Sequence, residues 1–70
     1  MINYEALEQS IKASGKSYKH LAERLGVSPV TFYNKRTGLT QFSASQLIKL
    51  LDELNANDDE RLKIFRTNSD

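Results

Sequence analysis

Apolar positions along this chain recur at three- and four-residue intervals and never alternate, so the pattern predicts helices and no strand. Capping residues and glycines break the pattern into five segments. In the first, Tyr4, Leu7 and Ile11 share a face, Asn3 is placed to cap, Glu5 lies in the first turn, and Gly15 ends the segment. In the second, Ser17 caps Tyr18 to Leu25, with Leu21, Ala22 and Leu25 facing inward. Gly26 follows, where a left-handed backbone carries no Cβ penalty, and Val27 turns back toward the core. Ser28 caps the third segment and Pro29 takes its first position, where a missing N–H costs nothing. This segment reaches Arg36 with Phe32 inward, and Gly38 follows it.

The fourth segment opens with a capping box, Ser43 with Gln46, flanked by a hydrophobic staple of Phe42 and Leu47. Leu47, Leu50, Leu51 and Leu54 form its stripe. The fifth opens at Asn57 with a second capping box through Glu60. Asp58, Asp59 and Glu60 suit the positive end of its dipole, and Lys63 and Arg66 suit the negative end. Leu62 and Phe65 are read as its inner face. The expected core is Tyr4, Leu7, Ile11, Leu21, Ala22, Leu25, Val27, Phe32, Phe42, Leu47, Leu50, Leu51, Leu54, Leu62 and Phe65. Ile48 and Ile64 fall off these stripes: either they cover core edges, or they form a contact patch for another protein or a second copy. Residues 1–66 read as one domain and 67–70 as a frayed tail.

Seventy residues support only one small core, and without cysteine neither a disulfide nor a thiolate zinc site braces it. No run approaches the roughly 18 apolar residues of a membrane span, and no basic-then-apolar leader opens the chain; cytoplasm is the expected compartment. His20 is the single histidine, with no second histidine and no serine–carboxylate pair at local spacing, and it reads as a surface residue. The glycines each end a helix rather than cradle phosphate, and the acidic cluster lacks calcium-loop spacing. No enzyme, cofactor or metal site is expected.

The net charge is only +1, but it is unevenly placed. Residues 1–40 set Lys12, Lys16, Lys19, Arg24, Lys35 and Arg36 against Glu5, Glu8 and Glu23, a balance of +3, whereas residues 41–70 carry −2. The positive half holds two short helices joined by a glycine turn, the spacing of a helix-turn-helix, whose second helix enters the major groove of DNA. With Phe32 inward, the positions offered to base edges are Pro29, Val30, Tyr33, Asn34 and Thr37. Asn34 suits adenine, Val30 and Pro29 suit a thymine methyl, and Tyr33 offers a hydroxyl. Lys35 and Arg36 suit phosphate, as do Ser17, the Tyr18 amide and Lys19 at the start of the second helix. Lys16, Thr40 and Gln41 lie in loops beside them. The bland alternative is a solvated surface with ordinary helix caps.

Leu21-Ala22-Glu23-Arg24-Leu25-Gly26-Val27-Ser28, followed by Thr31-Phe32-Tyr33 and Gly38, resembles the lambda repressor/Cro-type helix-turn-helix family. The later stretch from Phe42-Ser43-Ala44-Ser45-Gln46-Leu47 through Ile64-Phe65 resembles small phage-encoded regulators of that class. The likeness runs from about Lys16 to Phe65. It implies an all-α, compact five-helix DNA-binding bundle, often dimeric on palindromic operators, and in temperate phages a role in the lysogenic–lytic choice. Carried over by position, it implies base reading by Ser28, Pro29, Val30, Tyr33, Asn34 and Thr37, and phosphate contact by Ser17 and Tyr18. The chain departs from the family at Tyr18, where glutamine is commoner, and at Lys35, where many members pack an apolar residue and where a lysine stem covers the site instead.

Two functions are expected from these features. One is a Cro-like transcription regulator on double-stranded operator DNA, favoured by the helix-turn-helix spacing and the basic first half. The other is an antirepressor, or modulator of repression, that grips the DNA-binding domain of a partner repressor. The low net charge, the arginine-poor third helix and the spare Ile48 and Ile64 favour that one. Any weak homodimer is expected to use the fourth and fifth helices.

Overall fold

The computed structural model describes residues 2–65, and within them the chain forms five helices and no strand. They are α1 (Tyr4–Ser14), α2 (Tyr18–Leu25), α3 (Pro29–Arg36), α4 (Ala44–Glu53) and α5 (Asp58–Phe65). Arg66 and the tail expected at 67–70 lie outside the described residues. The start of each helix follows from a side chain that satisfies otherwise orphaned amides. Asn3, Ser17, Ser28 and Ser43 sit in extended backbone, and each accepts a hydrogen bond from the amide three residues on. Both expected capping boxes form: Gln46 accepts from the Ser43 amide at 3.1 Å, and Asn57 and Glu60 exchange bonds of 2.8 Å.

The helix ends are equally local. Gly26, at φ 74°, ends α2 with its N–H on the Glu23 carbonyl, while the Val27 N–H reaches the Ala22 carbonyl at 3.0 Å. This is the Schellman pattern. Asn55 does the same for α4 at φ 54°, with the Ala56 N–H on the Leu51 carbonyl at 3.1 Å. Asparagine is among the few residues with a side chain that adopt this conformation readily.

α1 packs on α5 and α3, and α2 packs on α3 and α4. The radius of gyration is 11.2 Å, against about 11 Å expected for a folded chain of this length. The core takes Leu7 and Ile11 from α1, Leu21 and Ala22 from α2, and Phe32 from α3. Leu47, Leu50 and Leu51 of α4, Leu54 and Ala56 of the α4–α5 joint, and Ile64 of α5 complete it. Leu25, Val27 and Phe42 are partly buried against this cluster, and Tyr4 is half-buried.

The expected inner face of α5 is corrected. Leu62 and Phe65 are exposed, at 64% and 48%, and Ile64 is fully buried. Ile64 is therefore core and offers no contact patch. In an eight-residue helix, Leu62 and Ile64 point about 200° apart, and spacing alone does not choose between them. Packing of α5 against α1 chooses Ile64, and the Asn3 amide, donating to the Ile64 carbonyl at 2.6 Å, ties the end of α5 to the start of α1.

Gly38 follows α3 at φ 90°, and a Cβ there would lie 3.2 Å from Cε2 of Tyr4. Gly15, at φ 73°, has nothing within 4 Å of the same position. Gly15→Ala is expected to cost about 1–2 kcal/mol, the penalty for a left-handed residue with a side chain. Gly38→Ala costs more, because the Tyr4 ring must also move. Urea denaturation of the two variants measures the difference, and Tyr4→Ala should narrow it.

Candidate nucleic-acid interface

The α2–α3 pair is joined by Gly26-Val27-Ser28, a three-residue turn held entirely by the bonds just described. Phe32 is fully buried, which fixes the rotation of α3 and decides what faces outward. Val30, Tyr33, Asn34 and Thr37 follow at helical spacing on one face, with Pro29 exposed at its start. Val30 is 70% and Tyr33 51% exposed, while Asn34 is half-buried.

Two hydroxyls expected to read bases are already engaged. The Ser28 oxygen accepts from the Thr31 amide at 3.1 Å, and its hydroxyl donates to Thr31 Oγ1 at 3.0 Å. The Thr37 hydroxyl donates back to the Tyr33 carbonyl at 2.7 Å. Both serve the ends of α3.

The cations are also largely committed. Lys16 Nζ donates to the Glu53 carbonyl oxygen at 2.6 Å and lies 3.8 Å from its carboxylate. Arg24 Nε pairs with the same carboxylate at 3.0 Å. Lys35 Nζ donates to the Gln41 carbonyl at 2.8 Å, so its stem lies along the α3–α4 loop. Lys19 and Thr40 are exposed, and Lys19 forms no ion pair among the described residues. The Ser17 oxygen accepts from the His20 amide at 3.0 Å, leaving its hydroxyl proton to donate.

Arg36 corrects an expectation. Its side chain is only 15% exposed, and it lies inside a cluster with Glu8 and Tyr18 rather than presented to phosphate. The guanidinium stands 3.7 Å from the Tyr18 ring centroid and 5.2 Å from that of Tyr33. Nη1 donates to Glu8 at 3.3 Å, and Nε is buried without an acceptor. The Tyr18 hydroxyl donates to the other oxygen of Glu8, so that hydroxyl is taken too. Behind it, the Tyr18 ring meets Phe32 at 6.3 Å, tilted by 50°. The cluster ties α1, α2 and α3 together at the edge of the outward face. The hydrogen bond to Glu8 chiefly pushes the Tyr18 phenol pKa above its ordinary value, with burial and the Glu8 charge adding and Arg36 opposing.

Glu8 was absent from the residues expected to matter. A signal existed: Glu8 lies four residues after Tyr4 and three before Ile11, on a face otherwise apolar. Arg36 likewise lies four after Phe32. Charge is arranged on a larger scale as well. No acidic residue occurs between Glu23 and Asp52, a stretch containing all of α3, its following loop and most of α4. Ile48 is 52% exposed on α4. Among the described residues, no group of His, Cys, Asp or Glu is placed to hold a metal ion, and no helix is long and apolar enough to cross a membrane. No protein-family model matches the chain, and no curated protein or solved structure matches it either.

Two outcomes follow from the cluster. Arg36→Ala should destabilise the fold by about 1–2 kcal/mol through lost stacking and ion pairing, whereas Lys19→Ala should leave thermal unfolding unchanged. The second concerns pH. The folded chain holds the Tyr18 proton more tightly than the unfolded chain does. That contribution is present below about pH 10, the ordinary tyrosine value, and fades as pH rises through the raised folded value. Denaturation across alkaline pH should therefore show a steeper loss of stability in the parent than in Glu8→Ala.

Proposed function

We propose that this protein is a sequence-specific DNA-binding transcriptional regulator of the lambda repressor/Cro helix-turn-helix type. In this reading α3 is the recognition helix in the major groove of double-stranded operator DNA, and α2 starts against the phosphate backbone. The observation that carries the reading is the outward face of α3, where Pro29, Val30 and Tyr33 stand clear of the core in a chain segment that has no acidic residue between Glu23 and Asp52. Asn34 adds a polar reader. Lys19, the Ser17 hydroxyl, the Tyr18 amide and Thr40 are the phosphate contacts, with Lys16 and Lys35 able to exchange a carbonyl partner for a phosphate. Such a regulator works in the cytoplasm, and the resemblance to small phage regulators favours a role in a lysogenic–lytic switch.

A second reading has its own observation. Val30, Tyr33 and Leu39 are all more than half exposed, at 70%, 51% and 71%, and Ile48 is exposed at 52%. Apolar surface of this kind also suits an antirepressor that binds the DNA-binding domain of a partner repressor. Ile64 plays no part in it. A weak homodimer would draw on Leu62 and Phe65 of α5.

The test is selection of the purified protein against a random duplex pool at about 0.1 M salt, where screening removes most loose charge attraction. Enrichment of a short motif is the expected result. Lys19→Ala should then weaken all sequences alike and reduce the salt slope by about one. Asn34→Ala should relax one base pair, at a cost of about 1–3 kcal/mol. A folded protein that enriches nothing transfers the assignment to the antirepressor.

A further inference from the structure

A run of contacts between flat groups leads from the core to the outward face of α3. It starts at the fully buried Phe32 ring, and the Tyr18 ring follows at 6.3 Å. The Arg36 guanidinium lies 3.7 Å from the Tyr18 centroid, and the Tyr33 ring ends the run 5.2 Å from the same guanidinium. Both cation–ring separations fall within the reach of attraction, about 6 Å. Tyr33 is 51% exposed, so the last group is one that a partner can touch. Glu8 of α1 holds the middle of the run. One of its oxygens accepts from the Tyr18 hydroxyl and the other from Arg36 Nη1 at 3.3 Å. Arg36 Nε, by contrast, is buried without an acceptor. An orphaned donor costs free energy. The guanidinium therefore sits where it meets two rings, at the expense of a hydrogen bond.

We infer that Glu8 and Arg36 are positioning residues for Tyr33, holding its ring in one orientation before a partner arrives. Arg36 acts on the ring directly, and Glu8 acts through Arg36 from a position 28 residues away in the sequence. A side chain fixed in the free protein is spared the cost of being ordered in the interface, which is worth about two- to tenfold in affinity. That gain is realised only on a surface that fits the preset ring, so it adds to specificity and leaves non-specific binding alone. The sign is opposite to what charge alone gives, since a carboxylate close to DNA repels phosphate and its removal should tighten every duplex. Where it concerns DNA, the inference rests on the proposed function and makes recognition by α3 depend on a residue of α1.

The first measurement is made on the full chain without a ligand. Three-bond NMR couplings about the Tyr33 Cα–Cβ bond should report one rotamer in the parent. They should report averaging in Glu8→Ala and in Arg36→Met, each confirmed as folded by circular dichroism. Averaging in the parent, or a single rotamer kept by both folded variants, overturns the positioning. The second measurement compares the duplex enriched from the random pool with an unrelated duplex of the same length. Glu8→Ala should weaken the enriched duplex about threefold and should not weaken the unrelated one. Made in Tyr33→Ala, the same change should no longer weaken the enriched duplex. Equal tightening of both duplexes overturns the positioning and makes Glu8 a repelling charge. A loss that persists in Tyr33→Ala overturns Tyr33 as the group positioned. Failure to enrich any duplex overturns the DNA reading alone, and the couplings of the free chain then decide the positioning by themselves.

Discussion

The burial of Phe32 governs the part of this molecule that meets its surroundings. A fully buried phenylalanine contributes about 1.5–3 kcal/mol, and losing one from a core costs about 3–5 kcal/mol. In an eight-residue helix that is enough to set the rotation about the helix axis. Successive residues lie about 100° apart, so with Phe32 fixed inward, Val30 and Tyr33 have only the outward side available. Leu21 and Ala22 of α2, also fully or nearly fully buried, supply part of the cluster that receives the ring, and the Tyr18 ring closes its edge at 6.3 Å.

The cluster of Glu8, Tyr18 and Arg36 adds a second constraint. It joins α1, α2 and α3 by side chains far apart in sequence, and it does so with an arginine that the local pattern offers to solvent. Glu53 has a comparable role on the other side, where it holds both Lys16 and Arg24 and so links the start and end of α2 to α4. Each pair is individually modest, because ion pairs near the protein surface are worth about 0–1 kcal/mol. Their joint consequence is electrostatic. The formal excess of positive charge in the first forty residues overstates the charge that is free to meet a phosphate.

That distinction bears on both functional readings. A regulator with few free cations gains less from counterion release and depends more on fit at the base edges. An antirepressor would present the same apolar face to protein, and low free charge would cost it nothing. What separates the readings is the chemistry that Val30, Tyr33 and Asn34 meet, since the scaffold behind them serves either.

Nearly all of the secondary structure was legible in the sequence, because its signals are local. Asn3, Ser17, Ser28, Ser43 and Asn57 each cap an amide three residues away, and Gly15 and Gly26 end helices by a conformation available without a Cβ. The stripes of α1, α2 and α4 were legible for the same reason: enough apolar residues repeat on one side to outvote any stray. The face of α5 was not, since Leu62, Ile64 and Phe65 divide between directions, and the choice was made by packing against α1. The outward face of α3 was half legible. Its residues follow from Phe32, but the fate of its polar groups does not. Whether Arg36 meets solvent or Glu8 depends on bringing together residues 28 apart in sequence, a contact that only the tertiary packing of α1 against α3 creates. Helix boundaries follow from local sequence, because caps and turns act within four residues; which side chains remain free to act follows only from the packed fold, because partners distant along the chain compete for the same charges and the same core.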